Sequence, residues 1–135
     1  MKILNIAFML FLLPAYIFAD NVTIVKELTW QDSNEILEKT YSHNEAKKYC
    51  SSLRLNNLSW ELPTINQLLT IVDYYEHEPA INKKFIYKNS NKFWSSTKHT
   101  DNKKTFWYID FMYGYTYLST VNSKFSVRCV NKVIQ

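Results

Sequence analysis

Glycine is almost absent from this chain: 135 residues contain one, Gly114. A nucleophile elbow of the GxSxG type needs two, so Ser95 and Ser96, which follow Trp94, read as hydrogen-bonding residues rather than nucleophiles. Histidine is scarce too. His43, His77 and His99 stand far apart in polar surroundings without an HExxH spacing, so they read as surface residues, and no metal or other cofactor is expected. Charge of one sign is not concentrated either. Sixteen bases against twelve acids leave +4, and the pairs Lys47-Lys48, Lys83-Lys84 and Lys103-Lys104 read as solvated edges, which argues against a nucleic-acid partner. The one long apolar run, Ile3 to Phe18, is short for a membrane-spanning helix of about 20 residues and contains Pro14. With Lys2 before it and Ala19 ahead of Asp20, it reads as a secretory signal peptide over residues 1–19. Membrane contact is then limited to the export signal. The protein is expected to be secreted, periplasmic or on the cell surface, with residues 20–135 forming one domain.

Export gives meaning to the two cysteines, Cys50 and Cys129. In an oxidising compartment they should pair, and closing so long a loop is worth about 4 to 5 kcal/mol in the loop-entropy model.

What the chain does have is one strong local signal, SWELPTINQLLTIV at 59–72. Pro63 forbids helix before it, Thr64 offers a hydroxyl to the free amides of the next turn, and Gln67 completes a capping box. Ile65, Leu68, Leu69 and Val72 then share a helical face, so this helix is expected to lie on a core, with Trp60 buried nearby. A second capping box, Ser42 with Glu45, precedes Ala46, Tyr49, Cys50 and Leu53 at helical spacing and puts Cys50 on the inner face of an earlier helix.

Upstream, Asn21 to Leu28 reads as a first strand leading into residues 28–32, and 32–40 is ambiguous. Tyr74 to Asn91 shows no steady period and reads as a long structured loop. Strand candidates follow at Phe93 to Thr97, Thr105 to Met112, Tyr115 to Val121 and Phe125 to Val130. Gly114 falls between the second and third of these, where a tight hairpin needs positive φ. In the last run Phe125, Val127 and Cys129 share one face, Ser126 and Arg128 the other, so Cys129 should point towards Cys50. Two helices followed by an antiparallel meander make an α+β domain.

Taken together, LTWQD at 28–32, KKYC at 47–50, WELPT at 60–64, WSST at 94–97, FWYIDF at 106–111 and VRCV at 127–130 resemble the bacterial Lcl C-terminal domain family. The resemblance implies a C-type-lectin-like fold: two helices flanking a small antiparallel or mixed sheet, closed by a disulfide from the first helix to the last strand. It also implies an extracellular binding module, since the family's named relative is the tip of a collagen-like surface adhesin that binds sulfated polysaccharides. Glu61 and Asn131 stand where the family often has Arg, and Asn56, Asn57 and Leu58 replace its glycines, so a polyanion site does not carry over.

Other chemistry of that fold group is not expected. Calcium-dependent sugar sites use oxygen-rich triplets, and Glu78-Pro79-Ala80 and Trp107-Tyr108-Ile109-Asp110 supply neither. Formylglycine-generating relatives need a reactive cysteine, and paired cysteines leave none. No catalytic residue is therefore assigned. Aromatics are the remaining clue, at 16% of the chain. Tyr113, Tyr115 and Tyr117 alternate along the late hairpin and are the candidate ligand-binding residues, with Lys98, Lys103 and Lys104 attracting anionic groups. The expected partner is a surface glycan or protein. The competing expectation is a structural subunit of an envelope or appendage assembly, which includes a homo-oligomer.

Overall fold

The computed structural model describes residues 21–133; the signal peptide expected at 1–19 lies outside them. The architecture is α+β, with three helices and two antiparallel sheets. One sheet has the order β1 (Val22–Val25), β2 (Leu28–Gln31), β7 (Val130–Asn131), β3 (Trp60–Glu61); the other is β4 (Lys92–Lys98), β5 (Thr105–Asp110), β6 (Tyr115–Thr120). The helices are α1 (Glu35–Glu38), α2 (His43–Ser52) and α3 (Ile65–Leu69).

Both capping boxes form. Ser42 Oγ accepts from the Glu45 amide while the Glu45 carboxylate accepts from the Ser42 amide, and Thr64 and Gln67 do the same at α3. Ala46 and Cys50 are buried on α2. The inward stripe is Ile65 and Leu68 on α3 with Ile71 and Val72 just beyond its end, and Leu69 is 38% exposed, contrary to its expected inward place. The helix ends at Leu69, so the residues beyond it no longer follow the α-helical spacing that grouped Leu69 with Val72.

The opening strand is two strands. β1 and β2 pair as a hairpin whose two-residue turn, Lys26 and Glu27, has φ of 48° and 67°. Positive φ at both positions is the type I′ pattern, normally signalled by Asn-Gly, and Lys-Glu carries no such signal. The last run also differs. Only Val130–Asn131 is strand, and it leaves the expected meander to lie between β2 and β3. Upstream, Phe125 bridges Tyr41 and Ser126 bridges Phe93 in parallel, so residues 125–131 stitch the two sheets together.

The β4–β6 sheet separates two cores by strand alternation. Phe93 and Ile109 join Leu68, Ile71 and Phe111 on one side; Trp94 and Tyr108 join Ala46, Trp60, Val127 and the Cys50–Cys129 disulfide on the other. That disulfide links α2 to the residue before β7, with Cα atoms 5.5 Å apart.

Arg128, expected to face away from the core, is fully buried. Its guanidinium lies 4.3 Å from the Phe85 ring centre and 3.5 Å from Asp32 Oδ1, and it donates to the carbonyls of Gln31, at 2.6 Å, and Tyr87. Burial pushes its pKa down to about 10, with Asp32 opposing the fall, so it stays charged at neutral pH. Asp32 in turn accepts from Thr23 Oγ1 and from the amides of Ile86 and Tyr87. Replacing Arg128 with Met would strand that carboxylate. The expected loss is about 3 to 5 kcal/mol, seen as a lower urea midpoint at unchanged slope; a loss under about 1 kcal/mol, the size of an exposed pair, would contradict this account.

Candidate functional site

The β5–β6 hairpin is held by its turn. Gly114 has φ of 79°, and its amide donates to the Asp110 carbonyl at 2.9 Å. A Cβ added there would stand 2.6 Å from Val72 Cγ1 and 3.1 Å from Tyr74 Cε1, so the turn presses on the segment after α3 and only glycine fits. From this rigid corner three tyrosines emerge. Tyr113, Tyr115 and Tyr117 are about half exposed, the Tyr113 and Tyr115 rings are 6.3 Å apart, and the Tyr113 hydroxyl is 3.4 Å from Glu78 Oε1.

Register sets what surrounds them. Tyr115 is opposite Asp110 and Tyr117 opposite Tyr108, while Asp110 and Tyr108 are opposite Lys92 and Trp94. Directly opposed residues project from one face, so Lys92, Asp110, Tyr108, Tyr115 and Tyr117 share one face of the sheet, whose middle is covered by the disulfide-side core at Trp94 and Tyr108. An aromatic row runs across it: Tyr117 to Tyr108 at 5.7 Å, Tyr108 to Phe125 at 4.5 Å, Phe125 to Trp94 at 4.6 Å. Burial, with Asp110 and Tyr117 adding to it, raises the Tyr108 phenol above its ordinary pKa, so it remains a neutral donor.

The lysines are placed differently. Lys98 ends β4 with Nζ 5.9 Å from the Phe106 ring centre, and Lys103 and Lys104 lie in the β4–β5 connection. Thr105 pairs with Thr120 at that end, and Asp110 with Tyr115 at the other. Five residues of strand, about 17 Å, therefore separate Lys103 and Lys104 from Tyr115. The structure brings Tyr113 and Tyr115 together and leaves Lys103 and Lys104 apart from them, while Lys98, across Phe106 from Ser119, stands nearer Tyr117.

Lys92, Asp110 and Phe125 were not singled out by sequence reasoning. They line a groove of about 430 Å³ together with Thr40, Asn91 and Lys124. The pairing of Asp110 with Tyr115 was implicit in the Gly114 turn, but the approach of Thr40 and Phe125 needs the tertiary fold. A second, shallower depression of about 730 Å³ lies across Thr40 and Lys124, against the stacked rings of Tyr41 and Tyr49.

No group of three or more His, Cys, Asp or Glu side chains is arranged to hold a metal among the described residues. Ala80, at the would-be calcium triplet, is buried and follows a cis Glu78-Pro79 bond. Ser95 Oγ donates to the Trp107 carbonyl at 2.6 Å.

Such a molecule is a disulfide-closed α+β domain presenting one aromatic sheet face. The chain matches the model of the Lcl C-terminal domain over residues 18–131 and belongs to that family. No curated protein and no solved structure matches it.

His43 corrects the surface reading. It is fully buried, stacked on Phe106 at 3.5 Å and edge-on to Trp94 at 5.1 Å. Nε2 lies 2.8 Å from the Ser95 carbonyl, which can only accept, so Nε2 carries the proton; Nδ1 has no partner among the described residues. Burial lowers the His43 pKa, the Ser95 bond opposes that, and Lys47 and Lys98 lower it further. The unfolded chain, with an ordinary value near 6.5, then binds more protons than the fold as pH drops, so stability is full above about 6.5 and is lost below it. For this one group the slope cannot exceed about 1.4 kcal/mol per pH unit, and it is steepest between the folded and unfolded pKa values. Urea midpoints between about pH 7 and 5 should show it, and the His43→Gln variant should be flatter; an equal slope in the variant would remove His43 as the cause.

Proposed function

We propose that this protein is an exported binding module of C-type-lectin-like fold that recognises a surface glycan or protein through the β5–β6 hairpin. The observation that carries the reading is the exposure of Tyr113 on a turn locked by Gly114 and of Tyr115 and Tyr117 on the strand that leaves it. Each ring offers an apolar face and a polar tip, which suits sugar stacking and protein contact, and a fixed turn loses little entropy on binding. Family membership and the disulfide from α2 to the residue before the last strand support the lectin-like fold. Lys103 and Lys104, with Lys98 on the neighbouring strand end, form a basic end that adds weak, salt-sensitive attraction.

Catalysis is not part of this reading. No thiol is free among the described residues, Ser95 is bound to a backbone carbonyl, and His43 is sealed in the core. A structural envelope role is the second reading, favoured by β6, which is an edge strand of six residues with Leu118 37% exposed. Self-assembly of purified protein without any glycan or receptor bound would select it.

A glycan array at two salt concentrations, beside pull-down from envelope extract, should yield a ligand. Changing Tyr113, Tyr115 and Tyr117 together to Ser should then weaken binding at least about tenfold, from stacking contacts of about 0.5 to 1.5 kcal/mol each. Undiminished affinity in a folded triple variant would overturn this site.

A further inference from the structure

Next to the tyrosines, the groove between the start of β4, the end of β5 and the Phe125 segment holds donors and acceptors that the fold leaves unspent. Lys92 and Asp110 are cross-strand partners that both line it. Lys92 Nζ sits 5.7 Å and 5.8 Å from the ring centres of Tyr108 and Phe125, and neither Lys92 nor Asp110 has an ion-pair partner among the described residues. Asp110 uses Oδ1 to accept from the Met112 amide, leaving Oδ2 without a hydrogen bond among those residues. Asn91 donates from Nδ2 to Ser126 Oγ at 3.2 Å, and its carbonyl oxygen is likewise unspent. The remaining cation, Lys124, is already answered by Glu45 at 2.7 Å.

We infer that this groove binds a neutral, hydroxyl-rich saccharide of one or two rings, an inference that rests on the reading of the protein as a glycan-binding module. Every sugar hydroxyl both donates and accepts. A carboxylate and an ammonium on directly opposed strand positions, with Cβ atoms about 5 Å apart, therefore match two neighbouring hydroxyls, one donating to Asp110 and one accepting from Lys92. Phe125 gives the apolar C–H face of the ring an aromatic surface. Charge balance decides the class: the groove's one unanswered cation faces its one unanswered anion, so a sulfated or carboxylated chain gains at Lys92 what it loses at Asp110. The volume of about 430 Å³ falls among small-ligand clefts. Tyr115, opposite Asp110, stands at the rim, so further rings of a longer glycan leave the groove over the tyrosines.

Backbone amide NMR of the exported protein tests this with lactose, cellobiose and diacetylchitobiose as neutral probes and a sulfated heparin disaccharide as the anionic one. At least one neutral probe should shift the amides of Lys92, Asp110 and Ser126 in the millimolar range, with no loss on raising salt. Asp110→Asn, which keeps an acceptor for the Met112 amide, and Lys92→Met should each weaken that binding about tenfold while leaving the melting temperature in place. Shifts confined to Tyr113, Tyr115 and Tyr117 would overturn the groove and leave the module standing. Groove shifts from the heparin disaccharide alone would overturn the neutral class. Shifts from no probe at either place would overturn the groove together with the glycan half of the reading, and the envelope pull-down would decide the protein half separately.

Discussion

A charge that has no route to water organises half of this fold. Arg128 stands one residue before the disulfide and two before β7, and its side chain turns into the core instead of out. Removing an ion from water costs several kcal/mol, so the buried guanidinium forces its surroundings to answer it. The Gln31 and Tyr87 carbonyls and the Asp32 carboxylate do so, and Asp32 then holds the amides of Ile86 and Tyr87. A loop with no sheet of its own is thereby fixed to the end of β2, and Phe85 is brought beneath the guanidinium. Gln31 extends the same logic. Its side chain accepts from the Cys129 amide and donates to Ser33 and to the Tyr49 hydroxyl, which joins β2, the disulfide and α2. These polar groups define one arrangement where apolar packing alone would tolerate several.

The aromatic sheet face depends on that frame through the 125–131 segment. Phe125 and Ser126 sit against Tyr41 and β4, while Cys129 and Val130 are tied to α2 and β2. Phe125 thus has a fixed position between the two sheets, and it is the member of the aromatic row that faces the groove. Trp94 is anchored through its indole N–H to the Tyr41 carbonyl at 2.8 Å. Rings held in this way keep little freedom to lose on any further contact.

The features legible in the sequence were those whose physics is local. Both capping boxes involve residues three apart, Gly114 marks a turn that no side chain could enter, and two cysteines leave one possible intrachain pairing, Cys50 with Cys129. Sequence reading failed where a distant partner reverses a local preference. Lys26 and Glu27 take positive φ although neither residue favours it, because the β1–β2 register demands that turn. His43 is polar by type, yet Phe106 and Trp94, more than fifty residues away, close over it. Strand alternation placed Arg128 opposite Cys129 correctly, but "opposite" meant a second core, since both faces of this short segment are covered. The groove was invisible for the same reason: Thr40, Lys92 and Phe125 meet only when the 125–126 segment bridges Tyr41 and Phe93.

The two ends of the β5–β6 hairpin carry different chemistry, and this bears on how such a module would discriminate. One end has tyrosines, a carboxylate and an ammonium in balance; the other has Lys103 and Lys104 in an exposed connection. Charge attracts at long range but is screened within about 10 Å at ordinary ionic strength, whereas stacking and hydrogen bonding act only on contact. About 17 Å of strand lies between them, so under the proposed reading the lysine end would raise encounter with an anionic surface without entering the contact that selects the ligand.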